Sequence, residues 1–374
     1  KEISCYKILF DAGNAWDIRL KYYIYLINYS FKYNERNYIQ KIVKRFIIIG
    51  QSACIYRYIH QRLNIVRPLM KLSTLNLLEH NKLLKPNNTP LNFNEWLVGL
   101  TDGDGTFNIF ITKDNKKICF MFKISQSIYN TQLIYKIKKE LGRGRVTKSS
   151  SMISFVISKK KDLLEYIFPI FDNYPLLSSK RYNYLLFKKS LIISNRQDLT
   201  IEQKVKLIKE IKDKKIPKDY ISDAWNNLDY KDINSENDVN KIMTRSWIVG
   251  FIEAEGSFYL VIKSHNPLRI IHGFGITQKL DPILLYSLKY ILHIPTKVRF
   301  RQVKTGEYYI LDTTNSKSIE YIISYFIYKD SKNLMKGIKS LEFVLWKRSY
   351  YKYKGNTKKL MVIRNLIRKL RKER

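Results

Sequence analysis

Two acidic residues in matching surroundings carry the clearest chemistry in this chain. Segment 96–107 reads WLVGLTDGDGTF and segment 247–258 reads WIVGFIEAEGSF. Each is an apolar run holding one glycine, and each ends in acid, small residue, acid, glycine, hydroxyl residue and phenylalanine. With Leu97–Thr101 and Ile248–Ile252 helical, Asp104 and Glu255 fall at helix C-termini, where the macrodipole disfavours a carboxylate unless a cation is bound. Gly99 and Gly250 would let two helix backbones approach closely, and Gly105 and Gly256 are read with them as interface glycines. Pairing these helices would bring both acids to one end. Clustered carboxylates without His or Cys are hard oxygen ligands that suit Mg²⁺, and such sites hydrolyse phosphodiesters. Asp102 and Glu253, two positions earlier, are expected to face differently and to serve in capping or hydrogen bonding.

The order of landmarks downstream of each motif also repeats. FKISQ ends at Gln126 and FGITQ at Gln278, which lie 126 − 104 = 22 and 278 − 255 = 23 positions after the acids. Further on, SSKRYNYLLFKKS (178–190) matches GIKSLEFVLWKRS (337–349), pairing Lys180 with Lys339 at spacings of 180 − 104 = 76 and 339 − 255 = 84. Taken singly, a strand glutamine is ordinary structure, a lysine in this chain is a solvated face, and Gly-Asp-Gly is a polar turn. Three landmarks in register argue for a duplicated unit instead.

The elements that must position these residues read, in each repeat, as helix, two strands, helix, two strands, helix, helix. Phe107, Ile109 and Ile111 alternate with Thr106, Asn108, Phe110 and Thr112, and similar alternation recurs at 118–126, 258–263 and 297–302. In the last run Lys297, Arg299 and Arg301 are expected on one face, with Val298 and Phe300 on the other. A basic sheet face suits a nucleic-acid groove. Lys113, Lys123, Arg143, Arg145, Lys148 and Lys263, on or beside the other strands, complete the expected nucleic-acid contacts. Asp162, Asp281 before Pro282, and Ser318 are suitable helix N-caps. The acidic and polar stretch 213–244 reads as a connector. Leu360, Ile363, Ile367 and Leu370 form one stripe of a basic helix within 356–374, suited equally to capping the fold and to phosphate binding. Residues 1–91 are basic and Tyr/Ile-rich, with helical spacing at Ile39, Ile42, Val43 and Phe46.

Composition sets the partner class. The chain holds 68 Lys and Arg against 32 Asp and Glu, a formal charge of +36, and 45% of its residues are apolar. That supports one large core or two moderate ones and calls for a polyanion, with nucleic acid leading. The longest uncharged stretches, such as 46–56, are too short for a bilayer span of about 20 residues, so no membrane partner is expected. Cys5, Cys54 and Cys119 have no paired or metal-like spacing, and the 5 histidines do not cluster with them, so neither disulfide nor structural zinc is expected. The richness in Lys, Ile, Asn, Tyr and Phe fits an AT-rich, organelle-encoded origin. The start at Lys1, without a leader pattern, reads as a piece of a longer translation product.

The two motifs and their spacing resemble the LAGLIDADG family of intron-encoded proteins, over about residues 92–350. The resemblance implies an α+β fold of two pseudo-symmetric subdomains, each with a curved antiparallel sheet and flanking helices, paired through the motif helices. The chain is accordingly divided into repeats at 92–212 and 245–350 joined by 213–244, with a basic, mainly helical extension at 1–91 and a basic C-terminal helix at 351–374 outside the family pattern. It puts metal on Asp104 and Glu255, the family's strand glutamine on Gln126 and Gln278, and its active-site lysine on Lys180 and Lys339. Three functions follow. A maturase would stabilise group I intron RNA, with or without a further protein splicing factor. A homing endonuclease would cut double-stranded DNA with Mg²⁺, and a third possibility is DNA binding without cutting. The intact acids favour cutting. The extreme charge and basic extensions favour the maturase, which is the reading preferred from sequence, for a pseudo-twofold monomer in the mitochondrial matrix.

Overall fold

Residues 90–303, 306–328 and 332–372 are described by the computed structural model, so the expectations for the N-terminal stretch up to residue 89, including its helical stripe, lie outside the described residues. Within them, one element order occurs twice. The first copy runs α1 (Phe93–Asp104), β1 (Gly105–Ile111), β2 (Ile118–Ser127), α2 (Thr131–Leu141), β3 (Arg145–Lys148), β4 (Met152–Ile157), α3 (Phe168–Asn173), α4 (Lys180–Asn195) and α5 (Ile201–Lys212). The second runs α6 (Arg245–Glu255), β5 (Ser257–His265), β6 (Leu268–Gln278), α7 (Pro282–Ile291), β7 (Arg299–Val303), β8 (Gly306–Thr313), α8 (Ser316–Tyr325), a two-residue hairpin of β9 (Ile327–Tyr328) and β10 (Lys332–Asn333), then α9 (Lys339–Tyr353) and α10 (Thr357–Lys372). The sheets are antiparallel, ordered β1-β2-β4-β3 and β5-β6-β8-β7.

Alternation along each strand decides which face is covered. In the first sheet Phe122 pairs with Phe107 and Ile157, and Ile124 with Phe155, so these apolar residues share one face. That face meets Phe171, Tyr184 and Phe187, with Phe107 centred 5.3 Å from the rings of Phe122, Phe171 and Tyr184. In the second sheet Phe258 packs on Phe274, Phe343 and Trp346 in the corresponding way. Burying each such ring stabilises the fold by about 2–3 kcal/mol. The opposite face of the first sheet carries Thr106, Asn108, Lys123, Ser125, Arg145 and Thr147, with Met121 and Val156 between them.

Several local expectations change. Asp162 does not start a helix: Lys159 holds the N-cap, and the turn Lys160–Asp162 runs through a π-helical segment, Leu163–Ile167, into α3. Ser318 sits inside α8, whose cap is Asn315, and the Ser318 hydroxyl donates to the carbonyl of His293 instead. Lys297 precedes β7 rather than lying in it, and β7 has no buried face, since every one of its residues is exposed. The stripe on α10 is real packing: Leu360 and Ile367 are buried. Two arginines of that helix close the outer edge of the second sheet, Arg364 donating to the carbonyl of Leu260 (3.2 Å) and Arg371 to that of Phe258 (3.0 Å). Those edge carbonyls would otherwise need water or another strand. No helix among the described residues is long and apolar enough to cross a membrane.

Candidate active site

The site begins where α1 and α6 touch. Both helices are capped locally, Asn92 accepting from the amides of Asn94 and Glu95, and Thr244 from that of Trp247. They are pressed together at their glycines. A Cβ built on Gly99 would lie 2.0 Å from the Trp247 carbonyl oxygen, and one on Gly250 would lie 2.0 Å from the Trp96 carbonyl oxygen. Further along, a Cβ on Gly103 would lie 2.2 Å from the Ala254 Cβ and 3.3 Å from Glu255 Cγ, so the acidic ends of the helices adjoin. Gly103 thus belongs to the interface and escaped the sequence reading. Gly105 and Gly256 do not: added carbons there would strike Thr101 and Ile252 of their own helices. Their role is the tight exit from each helix into its strand.

Each acid meets its glutamine. Gln126 Nε2 donates to Asp104 Oδ2, and the Gln278 side chain hydrogen-bonds Glu255. Burial pushes the Glu255 carboxyl above the usual carboxylate range, the neighbouring Asp104 adds to the rise, and Lys180, Lys339 and Gln278 oppose it. Two carboxylates that resist joint ionisation are the state a divalent cation relieves.

Neither motif helix has a basic residue in its last turn. The lysines supply that charge from elsewhere. Lys180 Nζ donates to the carbonyls of Thr101 (3.1 Å) and Gly103, and Lys339 Nζ to those of Ala254 (3.3 Å) and Gly256, so the two are alike in role but shifted along their helices. Burial lowers the Lys180 pKa, while Asp102, Asp104, Glu255 and Asp281 hold it up. An ammonium beside a helix C-terminus is favourably placed, and one with a lowered pKa can stabilise charge on, or exchange a proton with, a phosphate bound over the acids.

Asp102 and Glu253 explain how the lysines get there. Helices α4 and α9 open at Lys180 and Lys339, and neither N-cap residue, Ser179 or Ile338, caps its own helix with its side chain. Asp102 accepts from the amides of Leu177 and Ser178 (3.0 Å each), and Glu253 from those of Lys336 (2.6 Å) and Gly337 (3.0 Å). The earlier acid of each motif is therefore a remote cap for the lysine-bearing helix. Asp102 also accepts from the Ser178 hydroxyl and from Trp247 Nε1, at 2.8 Å for the latter. The connector is equally engaged: Ser222 Oγ donates to the carbonyl of Leu176 (2.6 Å) and Trp225 Nε1 to that of Leu177 (2.9 Å), which steadies the approach to Lys180.

The donor set suits a hard divalent cation: two carboxylates stand at adjoining helix ends, and such a cation is commonly held by one or two carboxylates while phosphate and water oxygens complete its shell.

The basic residues divide. Lys123 and Arg145 share the open face of the first sheet, and Lys113 is exposed in the β1–β2 turn. Arg301 and Arg299 lie on the exposed β7, but Arg299 is held by Asp312 at 2.8 Å. Lys263 is exposed at a bulge of β5, and Lys297 is exposed ahead of β7. Arg143 and Lys148 turn toward the helices instead. Arg143 donates to the Tyr166 hydroxyl (2.8 Å) over that ring, and Lys148 lies 5.5 Å from the Tyr135 ring centre.

Comparison with known proteins agrees with this duplicated architecture. The LAGLIDADG endonuclease family matches residues 97–191 and 248–350. A probable intron-encoded endonuclease of Schizosaccharomyces pombe is 38% identical over 287 residues, covering 75% of this chain and 69% of that protein. An uncharacterized mitochondrial protein of Saccharomyces cerevisiae is 29% identical over 325 residues, covering 78% of this chain and 63% of that protein. The solved structure of I-SmaMI bound to an uncleaved DNA target in the presence of calcium ions shares the fold with a TM-score of 0.58, at 22% identity over 74% of this chain and 98% of that one.

Proposed function

Because the chain belongs to the LAGLIDADG endonuclease family, we propose that it is a Mg²⁺-dependent homing endonuclease that cuts both strands of a long DNA site. The observation that carries this reading is the pair of acids at adjoining helix ends, where a Cβ on Gly103, next to Asp104, would lie 3.3 Å from Glu255 Cγ. Asp104 and Glu255 would hold the cation, which when bound activates water and neutralises the charge developing on the scissile phosphate. Gln126 and Gln278 orient the carboxylates, and Lys180 and Lys339 add positive charge beside them. The open sheet faces, with Lys123, Arg145 and Arg301, are the surfaces that suit a duplex. The full chain, with Mg²⁺ and a duplex spanning the intronless junction, should yield a double-strand break that Asp104→Asn or Glu255→Gln abolishes without changing the fold. Undiminished cutting by either variant would refute the assignment.

A second activity, stabilisation of group I intron RNA in the mitochondrial matrix, is favoured by a different observation. Lys206, Lys209 and Lys212 on α5 and Lys358, Lys359 and Arg368 on α10 are exposed, on helices rather than on the open sheet faces. RNA support needs such phosphate contacts but no metal-bound nucleophile. Splicing at limiting Mg²⁺ should therefore survive the acid substitutions and weaken when these basic residues are neutralised. Loss of splicing support in the acid variants would refute the separation.

A further inference from the structure

The remote caps described above account for two of the three amides that precede each lysine. The third is held from the other half of the molecule. Ser179, immediately before Lys180, donates its amide (2.8 Å) and its hydroxyl (2.9 Å) to the carboxylate of Asp281, which stands at the start of α7 in the second copy. Ile338, immediately before Lys339, donates its amide (2.9 Å) to Asn130 Oδ1, which stands at the start of α2 in the first copy. Asn130 and Asp281 thus hold corresponding places at the helix start after the second strand of each half, and each reaches across the pseudo-twofold axis. Asn130 is 3% exposed and does more: its Nδ2 donates to Gln126 Oε1 (2.9 Å), whose other amide atom donates to Asp104. One continuous chain of hydrogen bonds therefore links the Lys339 approach to the acid of the opposite half. Asp281 adopts a left-handed backbone (φ 63) and makes no side-chain bond to its own helix, so its carboxylate is committed to Ser179.

We propose that Asn130 and Asp281 are positioning residues, each fixing the approach to the other half's lysine, so that the two half-sites are set as one unit. The weight of this clasp in catalysis rests on the nuclease reading; its geometry does not. Competitive acetylation of lysine amines in the full chain, read by mass spectrometry, tests it without any activity. Asn130→Ala should raise labelling of Lys339 about threefold to tenfold, the worth of one hydrogen bond, and leave Lys180 unchanged. Asp281→Ala should do the reverse, and Asp281→Asn, which can still accept from the Ser179 amide, should restore the parent pattern. Should an alanine variant fail to fold, Asn130→Ser and Asp281→Ser, whose side chains are too short to reach, are read in the same way. Labelling that is unchanged, that rises in the variant's own half, or that rises equally at both lysines overturns the proposal. On a duplex that the parent cuts, both alanine variants should lower kcat with KM retained. A parent that does not cut refutes the nuclease reading alone, because the labelling still decides the clasp.

Discussion

Replacing Gly99 by alanine tests whether the motif helices are set by backbone contact. The added carbon would meet the Trp247 carbonyl oxygen at 2.0 Å, whereas ordinary contact begins at 3.4 Å, a shortfall of 3.4 − 2.0 = 1.4 Å. The obstacle is helix backbone, so no side chain can rotate away and the helices must part. Overpacking of this kind costs about 3 kcal/mol or more, against a gain of about 1 kcal/mol from alanine's better helix propensity, leaving roughly 2 kcal/mol of destabilisation. Gly250→Ala meets the mirror-image obstacle at the Trp96 carbonyl oxygen. Because one separation relieves both clashes, the double variant should lose distinctly less than the sum of the singles. Urea unfolding of the three variants measures this, and cleavage should fall further than stability alone explains, since a displacement of about 1 Å at reacting groups costs about 100-fold. Single variants within about 0.5 kcal/mol of the parent, or strict additivity in the double, would refute the reasoning.

Three other outcomes follow from the same structure. Burial pushes the Asp281 carboxyl up to about 6 from 3.8; a raised folded pKa means the penalty is absent below about pH 4 and complete above about pH 6, worth roughly 3 kcal/mol. The stability of Asp281→Asn relative to the parent should accordingly be greatest near pH 7.5 and shrink as pH falls to 4.5 in thermal melts, and a pH-independent gap would count against it. Arg371→Ala should cost about 3 kcal/mol in chemical unfolding, because it takes a cation from the buried Glu342 carboxylate as well as a donor from the sheet edge, and Arg364→Ala only about 1 kcal/mol; equal losses would contradict this. Arg301→Ala should reduce the slope of log Kd against log salt for duplex DNA by about one, whereas Arg143→Ala, its guanidinium lying over Tyr166, should leave the slope unchanged. A slope that responds equally to both would show that the open-face assignment is wrong.

Much of this architecture was legible because it was written twice. Each motif announced a helix, a close contact and an acid at its end, and the alternation read at 106–112 and 118–126 corresponds to the strands Gly105–Ile111 and Ile118–Ser127. What stayed hidden depends on partners distant in sequence. Asp102 and Glu253 look like ordinary helix-end acids until the amides of Leu177 and Lys336 are seen on them. Asn130 and Asp281 differ in type and stand four and three positions after their glutamines, so a comparison of the repeats does not align them. Gly105 and Gly256 lay beside true interface glycines and were grouped with them, although their neighbours are their own helices. Arg143, just ahead of β3, and Lys148, on the opposite face of β3 from Arg145, meet Tyr166 and Tyr135, contacts that residue type alone does not reveal.

The pairing of α1 with α6 also bears on how the chain reaches this state. Gly99 and Gly250 are 250 − 99 = 151 positions apart, and closing a loop of that length costs about 4 kcal/mol of chain entropy before any contact forms. The hairpins and the strands they join are local and form without waiting for it. During synthesis at about 5–20 residues per second, α1 would stand for roughly 8–30 s before its partner emerges. Over that interval the α1 surface at Trp96, Gly99 and Leu100, which abuts α6 in the finished fold, has no second helix to cover it. The contact that brings the acids together thus waits on the second half of the chain, and until it forms the nascent protein is open there to aggregation or to capture by a chaperone.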